Sequence, residues 1–420
     1  MLVAVNILNF YDRNVIGALA EPIRREFHLD DTQVGLLGSI FIWLYAIVGV
    51  PLGRIADGRS RKRLLAGGMA AWSVLTAMAA MAGSYSMLLI SRLGFAVGEA
   101  VVAPTATSWI GDLFPSEKRA GPLALFMIGV PAGAALTYFF SGSIAQAFGW
   151  RVAMVVAAAP ALLLIPLLLR LREPVRGAAE ARAVQSEAST MSIMAVLRIP
   201  TFQWIIASGA LVNFNHYALG TFMPALLSRV HHVTLAQSGI ATGIAYMSGG
   251  VVGSLIAGWF GDRVALGTSG GRLKWGAAFA LAGAPAAYFG IQAESTTATV
   301  ALLAVFYLTL CSYYGFVYSS IQDIVPPSTR ATAMAVYFMA MYLCGASFGP
   351  LLTGKMSDVL AHRAAALAGS PLITDAVRAI GLRQAMLAMP VLSVLLSIVL
   401  FLGSRTIGWD SGELKRRNSA

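Results

Sequence analysis

Four charged side chains lie inside stretches that are otherwise apolar: the adjacent Asp12 and Arg13, and Arg92 and Glu99, seven residues apart. A charge at the centre of a membrane helix costs about 2.5–3.5 kcal/mol on insertion scales, so such residues mark substrate or proton sites by default. Seven residues make two helical turns, which puts Arg92 and Glu99 on one face. Asp12 and Arg13 point about 100° apart. Desolvation favours the protonated form of a carboxyl group in an apolar cavity, and a nearby arginine favours the ionised form. Competition between the two makes a proton switch, and Glu99 and Asp12 are the candidate proton-coupling residues. Arg13 is the candidate for an anionic headgroup, because a guanidinium stays charged and grips carboxylate or phosphate with two parallel hydrogen bonds. Asp12, Glu99 and Arg92 complete this substrate set. The competing reading is a neutral ion-pair network that only locks helices together.

A second polar group lies farther along: Asn213, Asn215, His216 and Tyr217, followed at a distance by the run Tyr313-Tyr314-Gly315-Phe316-Val317-Tyr318. Neutral polar groups hydrogen-bond a substrate, and a histidine titrates near neutrality. Asn213, His216 and Tyr314 are the candidate contacts here; interhelical hydrogen bonding and packing are the plainer alternatives. The five histidines are scattered at 28, 216, 231, 232 and 362, so neither a metal set nor a cofactor is expected. Gly345-Ala346-Ser347-Phe348-Gly349 matches a hydrolase nucleophile elbow, but that motif needs a strand-turn-helix and a histidine partner. The segment from Gly349 to Gly354-Lys355 resembles a phosphate loop, yet Met356 stands where a Mg²⁺-binding Ser or Thr is needed. Catalysis and nucleotide-driven pumping are therefore not expected. Cys311 and Cys344 lie in apolar stretches and imply no disulfide framework.

The elements that position these residues follow from composition. The 420 residues are 57% hydrophobic and 12% charged, against about 25% charged in a soluble domain. Lipid must be the solvent. Twelve stretches reach the roughly 20 apolar residues of a membrane helix, at 1–20, 34–54, 64–82, 87–109, 120–140, 150–170, 202–226, 236–260, 272–291, 297–320, 331–354 and 383–402. The fold class is all-α integral membrane. The first span has no basic leader and carries Asn6, Asn9, Asp12 and Arg13, unlike a signal peptide. The net charge of +11 sorts by loop: twenty Lys/Arg follow even-numbered spans or end the chain, and eight lie in the opposite loops. The positive-inside rule then puts both termini in the cytoplasm of a cell with an inner membrane. No basic patch is interleaved with exposed aromatics, so nucleic acid is not an expected partner.

The one clear linker, residues 171–199, separates an N-terminal half (1–170) from a C-terminal half (200–405), with a cytoplasmic tail at 406–420. Part of the linker is expected to form a surface helix. The halves repeat. Gly53 and Asp57 recur 205 positions later as Gly258 and Asp262, and Asp112-Leu113-Phe114-Pro115 with Arg119-Ala120 recurs 211 positions later as Asp323-Ile324-Val325-Pro326 with Arg330-Ala331. Such repeats predict two pseudo-symmetric six-helix halves.

The loop Gly53-Arg54-Ile55-Ala56-Asp57-Gly58-Arg59-Ser60-Arg61-Lys62-Arg63 resembles the signature loop of the major facilitator superfamily, departing from it at Gly58 and Ser60. The Gly149-Trp150-Arg151 step also fits. Asn9-Phe10-Tyr11-Asp12-Arg13, with Gly98-Glu99-Ala100, Ala103-Pro104-Thr105 and Asp112-Leu113-Phe114-Pro115, resembles the spinster family, whose eukaryotic members are similar to exporters of lysophospholipids and sphingosine-1-phosphate. The resemblance implies an alternating-access, proton-coupled carrier of an amphipathic, lipid-like anion, with membrane lipids around it and a monomer as the default state. It also brings the first and fourth spans, hence all four charges, to one cavity. Asp57, Arg61, Lys62, Asp112, Arg119, Asp262 and Arg263 are the candidate gating residues, breaking and reforming ion pairs on the cytoplasmic side. The Gly-rich segments 129–133 and 345–350 fall in the fifth and eleventh spans, which belong to the superfamily's moving interface. A carrier of a small organic anion or drug-like molecule shares the fold; an integral-membrane lipid-modifying enzyme is the rival of another class.

Overall fold

The computed structural model describes residues 1–58, 60–114, 120–174, 191–265, 270–326, 329–369 and 372–419, and among them the regular structure is helical. The order is α1 (Leu2–Phe27), α2 (Asp31–Gly58), α3 (Arg61–Ala79), α4 (Tyr85–Glu99), α5 (Val102–Leu113), α6 (Ala120–Phe148), α7 (Trp150–Arg170), a short α8 (Ile193–Leu197), α9 (Pro200–Val230), α10 (Leu235–Ala265), α11 (Gly271–Gln292), α12 (Thr296–Ile324), α13 (Arg330–Met341), a π-helical turn (Tyr342–Ala346), α14 (Gly349–Leu367), α15 (Asp375–Met386) and α16 (Ala388–Ser419). Eight helical segments are long and apolar enough to cross a membrane on that criterion alone. With α1, α3, α9 and α11 they make the twelve expected spans. α1 and α9 are less apolar because they carry the inward polar groups.

Three expected spans are interrupted, at Ala100–Val101, in the π-turn, and at Leu387. Each break falls beside a carbonyl four residues before a proline: Ala100 before Pro104, Ala346 before Pro350, Met386 before Pro390. A proline has no N–H for the carbonyl at i−4 and its ring clashes with that carbonyl. Helix starts are capped as sequence chemistry predicts. Ser60, Ser84, Ser192 and Thr374 accept from the backbone N–H three residues on. Between α6 and α7, Gly149 takes φ 87°, a conformation only glycine adopts readily.

By contacts the chain divides into two units, residues 1–184 with 220–244, and 185–219 with 245–420. In the first, residues 220–230 of α9 and 235–244 of α10 join α1, α2 and α6. Tyr138 donates to the Gly220 carbonyl at 2.7 Å. Arg229 donates both terminal nitrogens to Asp31 at 2.9 Å and its Nε to Glu21 at 2.9 Å, and Arg24 closes on Glu21 at 2.7 Å.

Each unit seats one helix on another through a Gly-x-x-x-Gly pair. A Cβ on Gly129 or Gly133 of α6 would strike the α1 backbone around Ile7 and Tyr11. A Cβ on Gly345 or Gly349 would strike the α9 backbone at Ala210 and Phe214. In lipid, helices associate by such close packing because no hydrophobic force separates them from the solvent. Gly133→Val is expected to cost about 1–3 kcal/mol, the usual penalty of overpacking, and to lower the unfolding midpoint of the purified protein in detergent. An unchanged midpoint would show that α1 and α6 can part freely.

Candidate functional site

Asp12, Arg13, Arg92 and Glu99 are all buried in the first unit, none more than 6% exposed. The structure therefore brings the four sequence candidates together. Arg13 donates Nε and a terminal nitrogen to one oxygen of Glu99, at 3.0 and 2.9 Å. The second Glu99 oxygen has no hydrogen-bond partner. Arg92 reaches the backbone carbonyl of Arg13 at 3.4 Å, and its Nε is buried without a partner. Both carboxyl oxygens of Asp12 lack one as well; the Trp72 indole N–H faces Asp12 without closing a hydrogen bond. Aromatic faces cover the cations. Arg13 lies 4.7 Å from the Phe10 ring centroid and 4.6 Å from that of Tyr45, and Arg92 lies 4.2 Å from Phe95 and 4.9 Å from Phe41. Cation–π attraction is strongest at such desolvated places. Glu99 is the last residue of α4, so the break that precedes Pro104 follows directly after the carboxylate that grips Arg13.

In the second unit, Asn213, His216 and Tyr314 also meet. Tyr314 donates its hydroxyl to Asn213 Oδ1 at 3.1 Å, and the His216 and Tyr314 rings lie 6.3 Å apart. Asn215 instead ties α9 to α16, through the Met389 carbonyl and Ser393.

Of the gating candidates, Arg61, Lys62 and Asp112 form one cluster. Arg61, 1% exposed, pairs with Asp112 and donates to the Ser108 carbonyl at 3.1 Å. Lys62 Nζ reaches the carbonyls of Leu169 and Leu171 at 3.3 and 3.4 Å. The side chains of Asp57, Asp262 and Arg263, and all of Arg119, lie outside the described residues.

A family model of the Major Facilitator Superfamily matches residues 2–350. A crystal structure of a bacterial homolog of the human lysosomal transporter spinster, inward-facing and unoccupied, superposes with a TM-score of 0.88 at 27% identity, covering 97% of this chain and 96% of that one. Protein spinster homolog 3 of Danio rerio is 27% identical over 86% of this chain and 76% of its own. The chain belongs to the spinster family of the major facilitator superfamily. An MFS-type efflux pump of Mycolicibacterium smegmatis is 32% identical, over 86% of this chain and 84% of its own. This spinster-family protein is thus a multi-pass membrane transport protein, as its loop motifs implied.

Sequence reasoning missed three sets of residues. Trp72 lies on α3 and turns its indole to Asp12; an isolated tryptophan carries no pattern that announces this. Arg272 pairs with Asp323 at 2.7 Å. The repeat offset of 211 that relates Asp112 to Asp323 also relates Arg61 to Arg272, and it was available to find this pair. Glu173 lies in the linker and caps α3: it accepts from the Ser60 hydroxyl at 2.6 Å and the Arg61 backbone N–H at 2.7 Å.

Two outcomes follow from this geometry. Removing one partner of a buried ion pair leaves the other uncompensated, at about 3–5 kcal/mol, whereas replacing both by apolar groups is often neutral. Glu99→Gln is expected to lower the unfolding midpoint, and Arg13→Met combined with Glu99→Met to recover most of it. A double variant as weak as Glu99→Gln would mean that the pair does not stabilise the fold through its own contact. The second concerns Glu173, outside the spans. Burial pushes its carboxyl up, but the Ser60 hydroxyl, the backbone N–H groups of Arg61 and Lys62 and the Arg61 guanidinium outweigh burial and hold it below its ordinary value. Because its folded value is depressed, its contribution is complete above about pH 4.3 and is lost as the pH falls through the folded value. Glu173→Gln is expected to cost about 1 kcal/mol at neutral pH, as loss of a cap does, with the difference closing in acid. A difference that persists unchanged into acid would remove Glu173 from that role.

Proposed function

We propose that this chain is a proton-coupled carrier of an amphipathic anion, of the lysophospholipid or sphingosine-1-phosphate-like class. It works by the alternating access of its superfamily, in an inner membrane with both termini cytoplasmic. One observation carries the reading: a buried, solvent-excluded Arg13–Glu99 pair stands with Arg92 and a carboxyl, Asp12, that has no hydrogen-bond partner. A buried carboxylate without partners is costly as an anion, so Asp12 is the natural proton acceptor. Arg13 and Arg92 are the groups that hold the anionic head.

Electroneutrality sets the sign of coupling. Two guanidinium groups and two carboxylates cancel. An arriving anion unbalances them, and a proton on Asp12 or Glu99 restores the balance. Proton and anion then favour each other's binding reciprocally, which makes them travel in the same direction. The runner-up is a carrier of a small organic anion or drug-like molecule, favoured by the likeness to the mycobacterial efflux pump.

The test is flux into liposomes holding the purified protein. A fluorescent lysolipid is compared with a hydrophilic organic acid, with and without a pH gradient. Lysolipid uptake is expected to rise when protons flow the same way. It should fall by about tenfold or more in Arg13→Ala, a loss of about 1.4 kcal/mol of binding, and Asp12→Asn should abolish its response to the gradient. Uptake of the acid alone would replace the lipid reading with the runner-up. Uptake driven by an opposing proton flow would overturn the coupling sign.

A further inference from the structure

Within the second unit, α11 and the α15–α16 segment leave a surface groove of about 420 Å³ between them. Pro285, Tyr288 and Phe289 form one wall, and Leu387, Pro390 and Val391 the other. Tyr288, Phe289 and Val391 are exposed, so the groove opens on the face of the spans that meets lipid. Its origin is local. Pro390 gives the Met386 carbonyl no N–H partner, and α15 and α16 part at Leu387. Across from that break α11 presents Ala284 and Pro285, too short to fill the space. An unfilled trough forfeits dispersion contacts along its walls. Its lining is apolar apart from the Tyr288 hydroxyl, which has no hydrogen bond among the described contacts.

The rim at the C-terminal end of α11 has a different chemistry. Arg383, four residues before Leu387, donates Nε to the Ile291 carbonyl at 2.9 Å and a terminal nitrogen to the Gln292 carbonyl. Those carbonyls lie in the last turn of α11, where intrahelical donors have run out, and a cation suits that end of the helix dipole. Capping occupies two of the three guanidinium nitrogens. Among the described contacts Nη1 has no hydrogen bond, and no carboxylate pairs with the group. Tyr288 stands one turn before Gln292 on α11, so the capping arginine, the tyrosine hydroxyl and the groove follow one another along the helix.

The chemistry of the rim selects the occupant. Lipid tails are as apolar as leucine, so no hydrophobic force draws one chain into an apolar groove within a membrane. An arginine without an acidic partner does select, because a guanidinium binds phosphate through charge-assisted hydrogen bonds. At the end of a membrane span, phosphate is borne by phospholipid headgroups, and basic pockets between such helices hold them.

We infer that this groove is a site for a resident phospholipid, its phosphate on Arg383 beside the Tyr288 hydroxyl and one acyl chain in the groove between α11 and α16. Bound there, the lipid bridges the end of α11 to the break at Leu387. It is a fixed component and not cargo, so the inference does not rest on the carrier reading.

The test is lipid retention by the full chain, delipidated in detergent and read by native mass spectrometry. The probes are dioleoyl phosphatidylglycerol and dioleoylglycerol, which share their chains and differ in the phosphate headgroup. The phospholipid is expected to bind at least about tenfold more tightly, the scale of one hydrogen bond to a charged group. Arg383→Lys should stay within about threefold of the unaltered protein, and Arg383→Gln should lose about tenfold. Val391 is exposed, so Val391→Trp fills the groove without entering the core; it should lose as much, and it keeps the test decisive should Arg383→Gln fail to fold. Leu163→Trp, at an exposed position on α7, should change nothing. Equal retention of the two probes would make this face ordinary lipid contact and overturn the inference. Retention that survives Val391→Trp would overturn it as well, and if lost in Arg13→Ala would place the lipid among the four buried charges instead. A doubled mass in place of bound lipid, abolished by Val391→Trp, would give the groove to a second copy of the chain. Inorganic phosphate bound as tightly as the phospholipid would leave the acyl chain no part in the site and overturn it too.

Discussion

Charge inside a low-dielectric membrane is the constraint around which this protein is built. Two guanidinium groups and two carboxyls are buried in one unit, where each alone would be prohibitive. They are tolerable only as a neutral set, and aromatic faces over Arg13 and Arg92 supply further stabilisation. The Arg13–Glu99 contact is the strongest single link of that set. It also fixes the placement of α1 against α4. For the proposed carrier, an added anion or proton changes the charge balance of this enclosed set.

Backbone geometry follows from prolines at fixed distance. Pro104, Pro350 and Pro390 each deprive the carbonyl four residues earlier of its partner, and each coincides with a break. One of the breaks falls beside a candidate site, directly after Glu99, and another is the π-helical turn Tyr342–Ala346. Other spans keep prolines within continuous helix, among them Pro131 in α6 and Pro285 in α11. A proline in a span thus permits a break without dictating one.

The two units repeat one ion pair with unequal investment. Arg61 is enclosed and held by Asp112, Ser108 and Glu173 together. Arg272 with Asp323 is half-exposed, where an ion pair contributes little because water screens it. The linker residue Glu173 makes the difference, since it binds the N-terminus of α3 as well as the arginine. The same repeat thus yields a firm fixture in one unit and a looser contact in the other.

Much was legible in the sequence because the membrane restricts the options. Apolar length specified twelve helical rods, repeats specified two related halves, and loop motifs specified the superfamily. Asp12, Arg13, Arg92 and Glu99 announced themselves because charge is rare in such spans, and their spacing already placed two of them on one face. Tertiary structure alone decided that Arg13, and not Arg92, takes Glu99, that Asp12 is left without a hydrogen bond, and that Trp72 turns toward it. It alone joined Arg229 to Glu21 and Asp31, residues some 200 positions apart. The reason is physical. Burial cost depends on residue type and can be read along the chain, whereas partnership depends on which side chains of separate helices come within hydrogen-bond distance, and no local pattern encodes that.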